Sequence, residues 1–162
     1  MRNRKVLFLT QAAMIAAIYV MLAVMFAPSS SKAIQIRIAE SLTILPAFTL
    51  SAIPGLFIGC LVGNILIGCS LPDIIFGSLA TLLGALFTFL LRKKNKFLAP
   101  LPPILANTIT VPFVLRYAYG MNLPIPFMML TVGIGEVISC GVLGMILYAA
   151  LAKHRNKIFK QN

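Results

Sequence analysis

Long apolar runs leave this chain almost nothing to fold into except a bundle of membrane helices. Five apolar blocks, residues 6–27, 38–71, 74–91, 97–119 and 127–152, take up most of the sequence. A helix needs about 20 predominantly apolar residues to cross a bilayer. The block 38–71 is too long for a single span, and Pro46, Pro54 and Gly55 interrupt it. Composition agrees: 60% of residues are hydrophobic and 10% charged, where a soluble domain carries roughly 25% charged residues. The 162 residues fit one membrane domain, 1–162, with no room for a second beside it.

Charge decides how often the chain crosses. The net charge is +11, from 14 basic and 3 acidic residues. Most of the basic residues fall into three clusters: Arg2, Arg4 and Lys5; Arg92, Lys93, Lys94 and Lys96; and Lys153, Arg155 and Lys157. Apolar blocks separate these clusters, a pattern that fits the positive-inside rule and argues against nucleic acid as a partner. If all three clusters are cytoplasmic, even numbers of crossings must lie between them. The block 38–71 must then cross twice, with a turn at residues 52–55, where Pro54 and Gly55 are good punctuators. The sequence therefore predicts an all-α integral membrane protein, a six-transmembrane-helix bundle with both termini cytoplasmic. The expected helices are 6–27, 38–53, 55–71, 73–91, 97–119 and 127–152. The two central ones are short, a property associated with transporter binding sites. A cleaved signal peptide at the N-terminus is disfavoured, because the apolar region exceeds the usual length of about 7–15 residues.

Polar residues inside the spans mark the candidate site, since a charge near the bilayer centre costs about 2.5–3.5 kcal/mol or more. Glu136 lies about 14 Å below the outer surface at about 1.5 Å per residue, next to Gly133 and Gly135, which leave space for a close approach. It either contacts a ligand or pairs with Arg116. Arg37 and Glu40 stand three residues apart on one face at the outer entry of the second helix, as an ion pair or as site residues. Asp73, after Pro72, reads as a first-turn helix residue. Asn64 and Asn107 sit within spans and can bond either a neighbouring helix or a ligand. Arg116 and Tyr117 end the fifth helix, where snorkelling accounts for the charge. All these charges lie in the outer half of the spans, so the pattern describes a pocket open outward and closed below. Cys60, Cys69 and Cys140 lack metal-ligand spacing and read as packing residues, so no metal site is expected. The single histidine, His154, belongs to the basic tail. Nothing assembles a nucleophile, a base or a metal cluster, which argues against an enzyme.

In the first helix, Ala12 with Ala16 and Ala13 with Ala17 form a flat ridge suited to close helix contact. Together with the strings RIAESLTILP at 37–46, IPGLFIGC at 53–60, DIIFGSLATL at 73–82 and GIGE at 133–136, this resembles the QueT family. Members of that family are substrate-binding (S) components of energy-coupling-factor (ECF) transporters, associated with uptake of queuosine precursors. The resemblance implies a partner set in the plasma membrane: a transmembrane coupling protein docking on Ala12, Ala13, Ala16 and Ala17, and two cytoplasmic ATPases. The chain has no Walker lysine motif, so ATP would be handled by those partners and no cofactor is expected here. The implied ligand is a 7-deazaguanine base. Glu136 would accept its paired N–H and amino donors, with Asn107 or Asn64 completing recognition. Glu40, oriented by Arg37, would face an ammonium, and Tyr117, Phe113 or Phe127 would stack on the base. The alternatives are an S component for another vitamin or base, and a stand-alone small-solute carrier or channel. A channel would need charged groups in the inner half, where the sequence has none.

Overall fold

A computed structural model describes residues 4–27 and 36–153; Arg2, His154, Arg155 and Lys157 lie outside them. The described chain is all-α. Helix α1 is Arg4–Met25, and a 3-10 helix follows at Ile38–Ala47. Helix α2 is Ala52–Ile67, and a π turn at Asp73–Gly77 leads directly into α3, Ser78–Leu91. Helix α4 is Leu101–Tyr117. The last rod is continuous: α5 at Ile125–Glu136, a π segment at Val137–Leu143, and α6 at Gly144–Ala152. Three of these rods, Arg4–Met25, Asp73–Leu91 and Ile125–Ala152, are long and apolar enough to cross a membrane. The 3-10 helix and α2 are shorter apolar helices.

Two expectations about the central block are corrected. The chain breaks at residues 48–51, not 52–55, and the segments are 38–47 and 52–67 in place of 38–53 and 55–71. Pro54 falls in the first turn of α2, where a missing N–H leaves no helical bond unmade. Gly55 is a contact residue here: a Cβ on it would lie 2.7 Å from the Ala12 carbonyl oxygen of α1. Backbone bonds close the break, Thr49 N–H to the Leu45 carbonyl at 3.1 Å and Ala52 N–H to the Thr49 carbonyl at 3.4 Å, and side chains tie it to α1. Ser51 Oγ donates to Gln11 Oε1 at 3.0 Å and shares a 2.8 Å hydrogen bond with Thr49 Oγ1.

The first central segment is also not an ordinary α-helix. As a 3-10 helix, its 10 residues extend about 20 Å at about 2.0 Å each, against about 15 Å at the α rise of about 1.5 Å. A short segment thereby gains reach. Its residues Ala39 to Pro46 are all buried, as expected for a helix apolar around most of its circumference. It runs through the middle of the bundle, against α1, α3, α6 and the π segment.

The end of α3 packs beside the start of α4, where a Cβ on Gly84 would lie 2.7 Å from Pro103 Cα. At that end Thr88 Oγ1 of α3 donates to the Ala99 carbonyl oxygen at 2.8 Å, closing the connection to α4. Thr88 is fully buried, so Thr88→Val strands that carbonyl and should cost about 1–2 kcal/mol. The cost would be read as a lower melting temperature in detergent.

Close packing joins α1 to α2. Gly55, Gly59 and Gly63 form a groove on α2 against Ala12, Ile15, Ala16, Tyr19 and Ala23 of α1, a small-residue contact of the kind that brings membrane helices together. Ala12 is buried in this contact, whereas Ala13 and Ala17 stay exposed on the other side of α1. The alanine ridge is thus divided between an internal and an external face.

Candidate substrate site

The 3-10 helix carries Glu40 into the middle of the bundle, where it is 0% exposed. With about three residues per turn, Arg37, Glu40 and Thr43 lie in register along one side, and Thr43 Oγ1 donates to the Glu40 carbonyl oxygen at 2.6 Å. Opposite lies the end of α5. Glu136 is its last residue and is 2% exposed. The π segment starts at the next residue, and such bulges recur at functional sites. Within it, Cys140 sits four residues after Glu136 and faces the same way: Cys140 Sγ is 3.2 Å from Glu136 Oε2 and 3.4 Å from the Glu40 carbonyl oxygen. From α4, Asn107 Nδ2 donates to Glu136 Oε1 at 3.1 Å. From α1, the Tyr19 hydroxyl donates to Glu40 Oε1 at 2.5 Å.

Two carboxylates thus share one buried cluster. Ligating atoms of Glu40, Glu136 and Cys140 all lie within 4.8 Å of one another. Two negative charges at such a separation repel by roughly 3 kcal/mol at an effective dielectric constant of about 20. The hydrogen-bond partners of the two carboxylates, Tyr19, Asn107 and Cys140, are neutral, and the Arg37 guanidinium acts on both electrostatically. Glu40 Oε2 has no hydrogen-bond partner among the described residues. Such a cluster can accept hydrogen bonds and attracts positive charge. The same three side chains can hold a cation, although the thiol's contacts have the geometry of a hydrogen-bond donor.

The other expected site residues fall elsewhere. Arg37 Nη2 donates to Asn64 Oδ1 at 3.2 Å near the C-terminal end of α2, and its guanidinium also acts electrostatically on Glu40 and Asp73. Asp73, read as a helix-start residue, accepts at Oδ2 from the Tyr119 hydroxyl at 3.0 Å, and the same hydroxyl accepts from the Ser70 N–H at 3.1 Å. That arrangement ties the α2–α3 connection to the residues after α4. Arg116 does not meet Glu136; its Nη1 is directed at the Met121 and Leu123 carbonyl oxygens, both at 3.4 Å. Tyr117 is 79% exposed and lines, with Phe76, Ile109 and Phe113, an apolar cleft of about 470 Å³ between the start of the α3 rod and α4. That cleft lacks charged residues and lies apart from the carboxylate cluster.

Glu40, Asn107 and Glu136 were legible as site candidates and converge. Tyr19 and Cys140 were missed. Tyr19 carries a polar hydroxyl in the middle of an apolar span, and Cys140 follows Glu136 by one helical turn, so each left a faint signal.

With the geometry in view, comparison decides the family. A family model described as QueT transporter matches residues 9–153. The chain belongs to the QueT family. No curated protein and no solved structure matches it. Membership in QueT makes the chain a membrane transport component associated with queuosine precursors, not an enzyme. The matched region includes every residue of the cluster, from Tyr19 to Cys140.

Proposed function

We propose that this chain is the S component of an ECF importer and captures a 7-deazaguanine base at the cluster of Glu40 and Glu136. The single observation carrying this reading is the buried carboxylate pair with an unpartnered oxygen on Glu40. A deazaguanine presents a ring N–H beside an amino group, and one carboxylate can accept both. Glu136 takes this edge. Each of its oxygens already accepts one bond, from Asn107 and Cys140, and each has a second lone pair to offer. Glu40 Oε2 faces the ammonium of an aminomethyl arm, which relieves the repulsion between the carboxylates. Asn107 fixes the rotation of Glu136.

In this reading the helical rods make six crossings with both termini cytoplasmic, which sets the Tyr119 end outward. Base enters from that end, and no charged side chain continues the route to the other. Release therefore needs an energised partner: a transmembrane coupling protein meeting α1 along the alanine face, and two cytoplasmic ATPases. Exposure of Ala13 and Ala17 supports a contact there.

Reconstitution separates this from a stand-alone carrier. In proteoliposomes the chain alone should bind base without accumulating it, and uptake should appear only with the coupling protein, ATPases and ATP. Uptake by the chain alone would contradict the proposal. A second expectation concerns Glu40→Gln, which removes the negative charge facing the ammonium. Affinity for the aminomethyl base should fall about 10- to 100-fold, as for loss of a charge-assisted bond worth about 1.5–3 kcal/mol. The cyano base should lose little. Calorimetry on both ligands checks this.

A further inference from the structure

Tyr19 enters the cluster from α1, a helix whose remaining surface faces largely outward: Leu9, Met14, Met21 and Met25 are more than half exposed. Tyr19 itself is 3% exposed. Its ring is seated by the α2 groove, because a Cβ on Gly59 would lie 2.8 Å from Tyr19 Cβ and 3.1 Å from Cγ. From that fixed seat the hydroxyl reaches Glu40 Oε1. The two oxygens of Glu40 are therefore in different states, Oε1 held by a donor and Oε2 without one. Holding one oxygen of a carboxylate fixes rotation of the group and so aims the other. An acceptor aimed in advance binds its donor without first losing rotational freedom.

We infer that Tyr19 is a positioning residue for specificity: by pinning Oε1 of Glu40 it aims Oε2 at the cationic group of the ligand. The inference rests on the proposed substrate site. Tyr19 does not touch the base itself. Its effect passes through Glu40 and is felt only by ligands that use Glu40.

A double-mutant cycle with two ligands tests this. Affinities of the aminomethyl and cyano deazaguanines are measured by calorimetry for the unaltered protein, Tyr19→Phe, Glu40→Gln and the double variant. Tyr19→Phe keeps the ring against Gly59 and should lower affinity for the aminomethyl base about tenfold. The cyano base should stay within about twofold. In the Glu40→Gln background, Tyr19→Phe should have no further effect, because the group it positions has lost its charge. Glu40→Asp, which draws the carboxylate back from the phenol by one methylene, should reproduce the selective loss even if Tyr19→Phe fails to fold. Equal losses for both ligands, or an undiminished Tyr19→Phe effect beside Glu40→Gln, would overturn the inference and leave Tyr19 a packing residue. If Glu40→Gln leaves both affinities unchanged, the substrate site itself is misplaced, whatever Tyr19 does.

Discussion

Glu136→Gln should abolish high-affinity binding while leaving the protein at least as stable as before. The carboxylate is buried and, in the proposed site, accepts the ligand's paired donors. Each hydrogen bond to a charged group is worth about 1.5–3 kcal/mol, glutamine weakens or loses two of them, and about 1.4 kcal/mol is tenfold in affinity. The expected loss is therefore about 30-fold to more than 1000-fold. Glutamine also replaces one acceptor with an amide NH2, which faces a ligand donor with a donor. Stability should move the other way. Glutamine can still accept from Asn107, and one of two mutually repelling charges has been removed. Calorimetry should report the lost affinity and a detergent melting curve the unchanged or raised midpoint. Retained affinity in a folded variant removes Glu136 from the site.

The second large effect belongs to Gly59. A Cβ there would stand 2.8 Å from Tyr19 Cβ and 3.1 Å from the Ala16 carbonyl oxygen. A backbone carbonyl cannot rotate away as a side chain can, so α1 and α2 must separate. Overpacking of this kind costs about 1–3 kcal/mol for a small increment. Gly59→Ala should lower the melting temperature and also weaken binding of the aminomethyl base, because it pushes Tyr19 away from Glu40. Gly59→Leu adds several more heavy atoms at the same contact and should yield no monodisperse folded protein. Gly133 is the control: its Cβ would meet Thr108 at an ordinary 3.5 Å, so Gly133→Ala should be nearly silent. Size-exclusion profiles and melting curves of the three variants separate these cases. If Gly59→Leu behaves like Gly133→Ala, the α1–α2 contact is not as close as described.

The helical rods were legible because apolar length is a direct readout of membrane crossing. The break in the central block was misplaced for a specific reason. Pro54 and Gly55 look like a turn, yet proline is equally at home in a first helical turn, and Gly55 is there for the sake of Ala12 on another helix. Periodicity along one segment carries no information about a neighbour's carbonyl. The 3-10 form of 38–47 was likewise hidden, since it follows from threading a short segment through a crowded interior. Glu136 and Asn107 could be singled out from the cost of polar groups in lipid. Their pairing with each other, and the arrival of Glu40 beside Glu136, depend on contacts between residues tens of positions apart. Arg37 and Asn64 were also singled out, and they hydrogen-bond one another near the C-terminal end of α2. Burial cost identifies such residues without saying which of them meet.

Calorimetry on the purified, unaltered protein tests the central claim most directly, with deazaguanine bases, guanine and common vitamins as the panel. The carboxylate pair predicts tight binding of the deazaguanine that carries an ammonium, and weaker binding of guanine, which shares the paired donors but has no ammonium. Tight binding of a vitamin, with every deazaguanine silent against demonstrably folded protein, would contradict it.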